Sequence, residues 1–201
     1  MDAPLTTLTS LPQAEVIQRL RALHFPDCRS SLDPTYGTGR FYRDAGSLTV
    51  GGDRLSTRAR DCVMDYRWLP FADRSVDLVI FDPPFQPATS SPNPGKIARR
   101  FTKIGRTCSG GMQDLRDSVL LGIDEARRVA RVGVIVKVQD YIHSHRHVYM
   151  TGWVTSVLGD PYDLVHVQSP TQKMKALNWS TPRSVWRNHA SFYVYRWQSR
   201  R

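Results

Sequence analysis

Short apolar runs that end in an acidic residue recur along the first half of the chain. The clearest is VDLVIF at positions 76–81, which is followed by DPPF at positions 82–85. A nearly continuous run of β-branched and aromatic residues is typical of a strand that is buried on both faces of a parallel sheet. Neither proline carries a backbone N–H, so the strand has to end there. The stiff turn that follows holds an acid and an aromatic ring in fixed places, which suits the binding of a flat molecule with an amine.

Three earlier segments repeat this pattern of a short apolar stretch and then an acid. Strands are predicted over 28–32, 47–53 and 62–64, and they end at Asp33, Asp53 and Asp65. Open α/β sheets bind their ligands at the carboxyl ends of their strands. Each acid taken alone is explained as a turn former or a helix cap. Together with Asp82, however, four acids at four strand ends predict a row of carboxylates on one sheet edge.

Helical spacing of apolar residues predicts helices over 12–23, 113–130 and 145–158. Later strands are predicted over 132–138, 162–167 and 189–197. Strands that alternate with helices in this way indicate an α/β fold, and the length fits a single domain over 1–201. Residues 1–11 are expected to be a loose N-terminal arm, and 86–112 and 169–188 are expected to be polar, basic loops that face the substrate.

The charge balance adds a partner to this picture. The 201 residues carry a net charge of +10 at pH 7, which favours a polyanionic partner, most often nucleic acid. The loop over 86–112 mixes basic side chains with Phe101 and Ile104, as contacts to phosphates and a stacked base require. Its candidate substrate-binding residues are Lys96, Arg99, Arg100 and Lys103. The alternative for this loop is a mobile, solvated segment.

Several classes of protein are disfavoured. The three cysteines form no CxxC pair, which argues against a zinc site and against a disulfide framework. The histidines at 143, 145 and 147 are expected on different faces, so no bound metal is expected. No apolar run approaches membrane length and no secretory signal is recognised at the N-terminus. We therefore expect a cytoplasmic protein with no membrane partner.

The segment LDPTYGTGRFY at 32–42 is a candidate ligand loop. Gly37 and Gly39 follow the strand-end Asp33, and glycine permits positive φ and close approach of a ligand to the backbone. The spacing from Asp33 to Asp53 is that at which α/β folds bind a ribose. Neither a triphosphate-binding loop nor the third glycine of a dinucleotide motif is present. Within VGVIVKV, Lys137 either extends to solvent from an edge strand or faces the site, where it is a further candidate substrate-binding residue.

In this order and spacing, LDPTYGTGRF and DPPF resemble the first motif and the (D/N/S)PP(Y/F/W) catalytic motif of class I S-adenosylmethionine-dependent methyltransferases that methylate amines. The run MDYRWLPFADRSVDLVIFDPPF is similar to their third and fourth strands, and NHASFYVYRW resembles the closing strand of DNA methyltransferases. The resemblance implies a Rossmann-like sheet of seven strands, mostly parallel with the last antiparallel, and S-adenosylmethionine as cofactor. Two departures from the family are expected: a short or absent helix after the glycine loop, and no separate target-recognition domain.

The resemblance also implies a role for each motif residue. The implied cofactor-binding residues are Asp33, Pro34, Tyr36, Gly37, Gly39, Asp53, Asp65 and Tyr66, and the implied catalytic residues are Asp82, Pro83, Pro84 and Phe85. By this resemblance, Asp53 binds the ribose hydroxyls and Asp65 the adenine amine. Asp82 and the Pro83 carbonyl accept hydrogen bonds from the target amine, while Phe85 stacks on a flipped base.

The resemblance favours a DNA adenine-N6 methyltransferase, because cytosine-N4 enzymes more often have serine where Asp82 stands. An RNA base methyltransferase acting on guanine N2 or adenine N6 is an alternative. A ribose 2′-O-methyltransferase is another, because VIVKVQ resembles the strand that bears the lysine of that group, with Lys137 and Asp82 as the pair; the two prolines argue against it. A non-catalytic nucleic-acid-binding module is disfavoured by the intact DPPF and GTG. DNA is thus expected as the partner ahead of RNA, and the oligomeric state stays open.

Overall fold

The computed structural model describes residues 5–42, 48–87, 107–108, 111–143, 146–168 and 189–197. The elements in these residues, in chain order, are β1 (Leu8–Thr9), α1 (Gln13–His24), β2 (Ser31–Asp33), β3 (Val50–Asp53), β4 (Cys62–Val63), β5 (Val76–Phe81), β6 (Gln86–Pro87), β7 (Thr107–Cys108), α2 (Met112–Val129), β8 (Ala130–Val138), β9 (Tyr141–His143), β10 (Arg146–Val148), α3 (Met150–Leu158), β11 (Asp163–Gln168) and β12 (His189–Arg196). None of these helices is both long enough and apolar enough to cross a membrane.

Eight strands form the main sheet, in the order β1-β11-β12-β8-β5-β2-β3-β4. The β12 strand runs antiparallel to both of its neighbours, β8 and β11. The other pairs in this sheet are parallel. This arrangement confirms the Rossmann-like α/β fold with a mostly parallel sheet and an antiparallel last strand.

The sheet has one strand more than the seven expected, because the predicted loose arm contains β1. Leu8 and Thr9 pair in parallel with His166 and Val167 of β11. Without β1, β11 would be the edge of the sheet and would expose unpaired backbone N–H and C=O groups. The prediction of a loose arm over 1–11 is therefore wrong at these two residues, while residues 1–4 lie outside the described part of the chain.

The third helix is shorter than the sequence pattern indicates. The apolar spacing predicts a helix over 145–158, but α3 begins at Met150. The preceding Arg146–Val148 pairs with Tyr141–His143 as an antiparallel hairpin. In this hairpin, cross-strand pairing outweighs the helical spacing of the apolar residues. Strands of three residues are too short to show a pattern of their own in the sequence.

The central strand β5 is buried along its whole length, as predicted. Leu78 and Ile80 belong to the core on the α1 side of the sheet, whereas Val79 and Phe81 belong to the core on the side of α2 and α3. Alternate side chains of a strand point to opposite faces, so β5 is covered on both sides. Its carboxyl end is the place where the chain leaves the core and reaches the sheet edge.

Candidate active site

The carboxyl ends of β5, β2, β3 and β4 lie next to one another along one sheet edge. Asp33 and Asp53 are the last residues of β2 and β3, Asp82 directly follows β5, and Asp65 lies two residues after β4. The four strands are parallel neighbours. The structure therefore brings the four acids to the edge where the sequence pattern placed them.

Asp33 is fully buried beneath the glycine loop. Its Oδ1 accepts hydrogen bonds from the Thr35 amide at 2.7 Å and the Thr35 hydroxyl at 2.8 Å, and its Oδ2 accepts one from the Tyr42 hydroxyl at 2.8 Å. Burial raises the pKa of Asp33 to about 7, against the opposing effect of these hydrogen bonds; the negative charge of Asp82 also raises it. Asp33 thus holds the loop from the inside. Sequence reasoning missed Thr35 and Tyr42, although a threonine two residues after an aspartate favours such a local hydrogen bond.

The glycine loop takes a conformation that favours glycine at two positions. Gly37 and Gly39 have φ values of 60° and 64°, in the left-handed region. A Cβ atom at Gly39 would overlap the hydroxyl of Tyr36, and one at Gly51 would lie 2.7 Å from the Tyr36 ring. The Tyr36 ring therefore fills the space between the loop and β3, and it stacks on Tyr42 with ring centroids 5.7 Å apart.

Asp53 ties the end of β3 to the same loop. Its Oδ2 accepts a hydrogen bond from the Gly37 amide at 3.1 Å, and its Oδ1 accepts one from the Leu55 amide at 2.8 Å. The residue is half-buried. A carboxylate has about four lone-pair positions, so each oxygen keeps capacity for a further donor such as a hydroxyl.

Asp65 and Tyr66 lie beyond β4, and both already have partners. The Arg67 guanidinium donates two hydrogen bonds to the Asp65 carboxylate, from Nε to Oδ1 at 2.9 Å and from Nη2 to Oδ2 at 2.6 Å. These hydrogen bonds lower the pKa of Asp65. The Tyr66 hydroxyl lies 2.6 Å from the Ser118 hydroxyl of α2, and its ring contacts Phe81 edge-on. Tyr66 is thereby anchored to the core.

Lys137 faces the site, which decides between the two positions that the sequence left open. Phe81 of β5 pairs with Val136 of β8, so Asp82 and Lys137 are the next residues on adjacent strands. The Lys137 Nζ lies 2.8 Å from Asp82 Oδ1, and the two side chains are only 8% and 11% exposed. The ammonium also lies 5.3 Å from the centroid of the Phe41 ring. Lys137 and Asp82 thus form a buried ion pair at the carboxyl end of β5.

The rest of Asp82 is held by the glycine loop. Its backbone amide donates to the Thr35 hydroxyl at 2.9 Å. Its Oδ2 has no hydrogen-bond partner among the described residues, which leaves this oxygen available to a ligand. Pro83 is buried, while Pro84 and Phe85 are half-buried, and Phe85 packs against the core on the α2 side.

Little of the two predicted substrate loops lies within the described residues. Lys96, Arg99, Arg100 and Lys103 are outside them, as is all of 169–188. The two described ends of the first loop pair with each other, Gln86 with Thr107 and Pro87 with Cys108. The loop over 86–112 therefore starts immediately after Phe85 and returns to the same place.

Among known proteins, one solved structure supports this fold. No protein-family model matches the chain, and no curated protein sequence matches it. Among solved structures, the PH0226 protein from Pyrococcus horikoshii OT3 is 16% identical with a TM-score of 0.50, over 90% of this chain and 89% of that one. A SAM-dependent methyltransferase from Aquifex aeolicus is 12% identical with a TM-score of 0.49, over 92% and 90%. One from Archaeoglobus fulgidus is 11% identical with a TM-score of 0.48, over 92% and 94%. The likeness to the PH0226 protein supports the fold alone.

Proposed function

We propose that this chain is an S-adenosylmethionine-dependent methyltransferase that acts on an exocyclic amine of a nucleic-acid base, with adenine N6 in DNA as the first choice. The observation that carries the proposal is the strand-end arrangement itself. DPPF at the end of β5 lies beside the glycine loop at the end of β2, with Asp53 on the next strand. The net charge of +10 supports nucleic acid as the partner.

The residues at this edge fit the cofactor. We assign Asp53 to the ribose hydroxyls of the cofactor, because among the described residues each of its carboxylate oxygens accepts a single hydrogen bond. Gly37 lets the backbone approach the cofactor closely, while Gly39 leaves room for the Tyr36 ring. Asp65 and Tyr66 flank the adenine of the cofactor. When bound, S-adenosylmethionine supplies an electrophilic methyl group on a sulfonium.

The DPPF turn has to activate a poor nucleophile. The lone pair of an exocyclic amine is delocalised into its ring, so the nitrogen attacks weakly. In our proposal Asp82 Oδ2 and the Pro83 carbonyl each accept one N–H of this amine. Two acceptors favour a more tetrahedral nitrogen with an available lone pair. This lone pair would form the N–CH₃ bond as the S–CH₃ bond breaks, which would leave a neutral thioether, and one N–H proton would leave the nitrogen for solvent. Phe85 stacks on the flipped base, and positioning does most of the remaining work.

The Lys137–Asp82 ion pair favours a second candidate, methyl transfer to a ribose 2′-hydroxyl in RNA. An ammonium near the reacting oxygen would stabilise the negative charge that develops on a hydroxyl nucleophile. Here, however, the Lys137 Nζ donates a hydrogen bond to Asp82 at 2.8 Å. The two prolines also suit an amine better than a hydroxyl as the group that receives the methyl. The DPPF turn would serve a base amine of RNA, guanine N2 or adenine N6, in the same way as adenine N6 in DNA.

The test uses S-adenosylmethionine with a labelled methyl group, with DNA and RNA offered separately. We expect Asp82→Ala to lose at least ~100-fold in turnover, since an acceptor at the reacting group contributes on that order, while calorimetry finds cofactor binding retained. Asp117→Ala serves as the matched control, because Asp117 is an exposed acid on α2. Near-normal turnover by Asp82→Ala would refute the amine-activation mechanism.

A further inference from the structure

The Thr35 side chain joins two of the strand ends that form the site. Its hydroxyl donates to Asp33 Oδ1 at 2.8 Å and accepts a hydrogen bond from the Asp82 amide at 2.9 Å. The Thr35 amide donates to the same Asp33 oxygen at 2.7 Å. A single hydroxyl thus acts as donor to the end of β2 and as acceptor from the end of β5, using both of its capacities.

The Asp82 amide is the backbone hydrogen-bond donor of the DPP segment, because the two prolines that follow it have none. Pro83 and Pro84 carry no N–H, so no other backbone donor exists between Phe81 and Phe85. The direction of the turn over 82–85 at this point depends on the acceptor that this amide finds. The β2 and β5 strands are direct neighbours, with Leu32 opposite Val79, which is why Thr35 can reach it.

Thr35 is itself held firmly enough to set a position. Its acceptor, Asp33, is fully buried and is also bonded to Tyr42 on its other oxygen. On the far side of the turn, Lys137 fixes the Asp82 carboxylate through Oδ1. The backbone of Asp82 is therefore fixed by the loop, and its side chain is fixed by the neighbouring strand β8.

We propose that Thr35 is a positioning residue that sets the distance between the glycine loop and Asp82, and thus between the bound methyl donor and the target amine. This inference rests on the proposed function. The Thr35 hydroxyl bonds to Asp33 and to the Asp82 amide, so Thr35 acts on the site through that amide. A tie that served only stability would change the melting temperature and leave the turnover of the folded protein unaltered.

The experiment compares four variants with the wild-type chain. Thr35→Val keeps the shape and removes the hydroxyl, Thr35→Ser keeps the hydroxyl, and Thr35→Cys offers a thiol that is a weak donor and acceptor. Thr155→Val is the matched control, because the Thr155 hydroxyl donates to backbone carbonyls within its own helix, α3. The readouts are kcat and KM for nucleic acid with a labelled methyl donor, and the donor Kd by calorimetry.

We expect Thr35→Val to lower kcat by ~10- to 100-fold, the loss that a misplacement of about 1 Å brings, with a donor Kd close to the wild-type value. Thr35→Ser should recover most of the loss, Thr35→Cys should fall between the two, and Thr155→Val should keep its kcat. If Thr35→Val fails to fold, the order of the serine and cysteine variants still tests the inference.

Two results have different meanings. An active wild-type chain whose Thr35 variants keep its kcat would overturn the positioning role and leave the proposed function intact. A wild-type chain that binds the donor and methylates neither DNA nor RNA would refute the proposed function, and the inference would fall with it.

Discussion

Replacing Asp33 with asparagine should change how the stability of the protein depends on pH. Asp33 is fully buried, and burial raises its pKa from 3.8 to about 7 in spite of the hydrogen bonds from Thr35 and Tyr42. The charged groups around it are Asp82, which raises the pKa further, and the Lys137 ammonium that pairs with Asp82. Asparagine has nearly the same shape and no proton to lose in this range.

The size of the effect follows from the shift. The folded-state pKa lies about 3 units above the unfolded value, and each unit corresponds to about 1.4 kcal/mol, so the whole effect is about 4 kcal/mol. The folded state binds the proton more tightly than the unfolded chain. The stabilisation is therefore fully present below pH about 4 and is lost as the pH rises through about 7.

Urea unfolding at a series of pH values between about 4 and 9 measures this effect. We plot the free energy of unfolding of the wild type minus that of Asp33→Asn, since the groups common to both cancel. The difference should fall by about 4 kcal/mol across this range. Tyr42→Phe removes a hydrogen bond that favours the ionised form, so its stability should keep falling to a higher pH. A difference that stays flat would mean that Asp33 is ionised throughout, and that its donors outweigh the cost of burial.

Three further perturbations test other parts of the site. Lys137→Met leaves the Asp82 carboxylate buried without its partner, so urea unfolding should show that the free energy of unfolding falls by about 3–5 kcal/mol. The double variant that adds Asp82→Asn should recover much of this loss. A fall below about 1 kcal/mol would contradict a tightly buried pair. Gly39→Ala places a Cβ atom on the Tyr36 hydroxyl at a backbone position with positive φ. It should lower the free energy of unfolding by at least about 1 kcal/mol and weaken cofactor binding measured by calorimetry. Gly152→Ala in α3 has room for the added methyl group and should do neither, so equal effects of the two variants would refute the role of Gly39. Neutralising the four basic residues predicted in the loop over 86–112 should weaken nucleic-acid binding and flatten its salt dependence, and an unchanged slope would exclude the loop as a phosphate contact.

The strand ends could be predicted from sequence because their signals are local. A β-branched run that stops at DPPF has few structural solutions, and the same holds for a strand-end acid followed by GTG. Parallel strands share an edge, so the four acids could be placed together before any pairing was known. The antiparallel direction of β12 could be predicted because its alternating aromatic residues resemble the closing strand of DNA methyltransferases.

The remaining features depend on contacts between distant parts of the chain. Whether Lys137 faces solvent or the site depends on the pairing of Phe81 with Val136, and a one-residue change of register would reverse it. The two-residue β1 has no periodic pattern and exists because β11 has a free edge there. The role of Thr35 depends on the hydrogen bond from the Asp82 amide to its hydroxyl, which joins the end of β5 to the end of β2. Local patterns carry no information about a bond between such distant positions.

The central claim is that the edge formed by β5, β2 and β3 transfers a methyl group to an adenine amine in DNA. The most direct test incubates the purified chain with unmethylated DNA and S-adenosylmethionine whose methyl group carries deuterium, digests the DNA to nucleosides and analyses them by mass spectrometry, with RNA treated in parallel. Our account predicts labelled N6-methyladenine in DNA, and none with Asp82→Ala. Label found only in N2-methylguanine or in 2′-O-methyl ribose of RNA would contradict the adenine assignment, and the absence of label from both nucleic acids would contradict the claim as a whole.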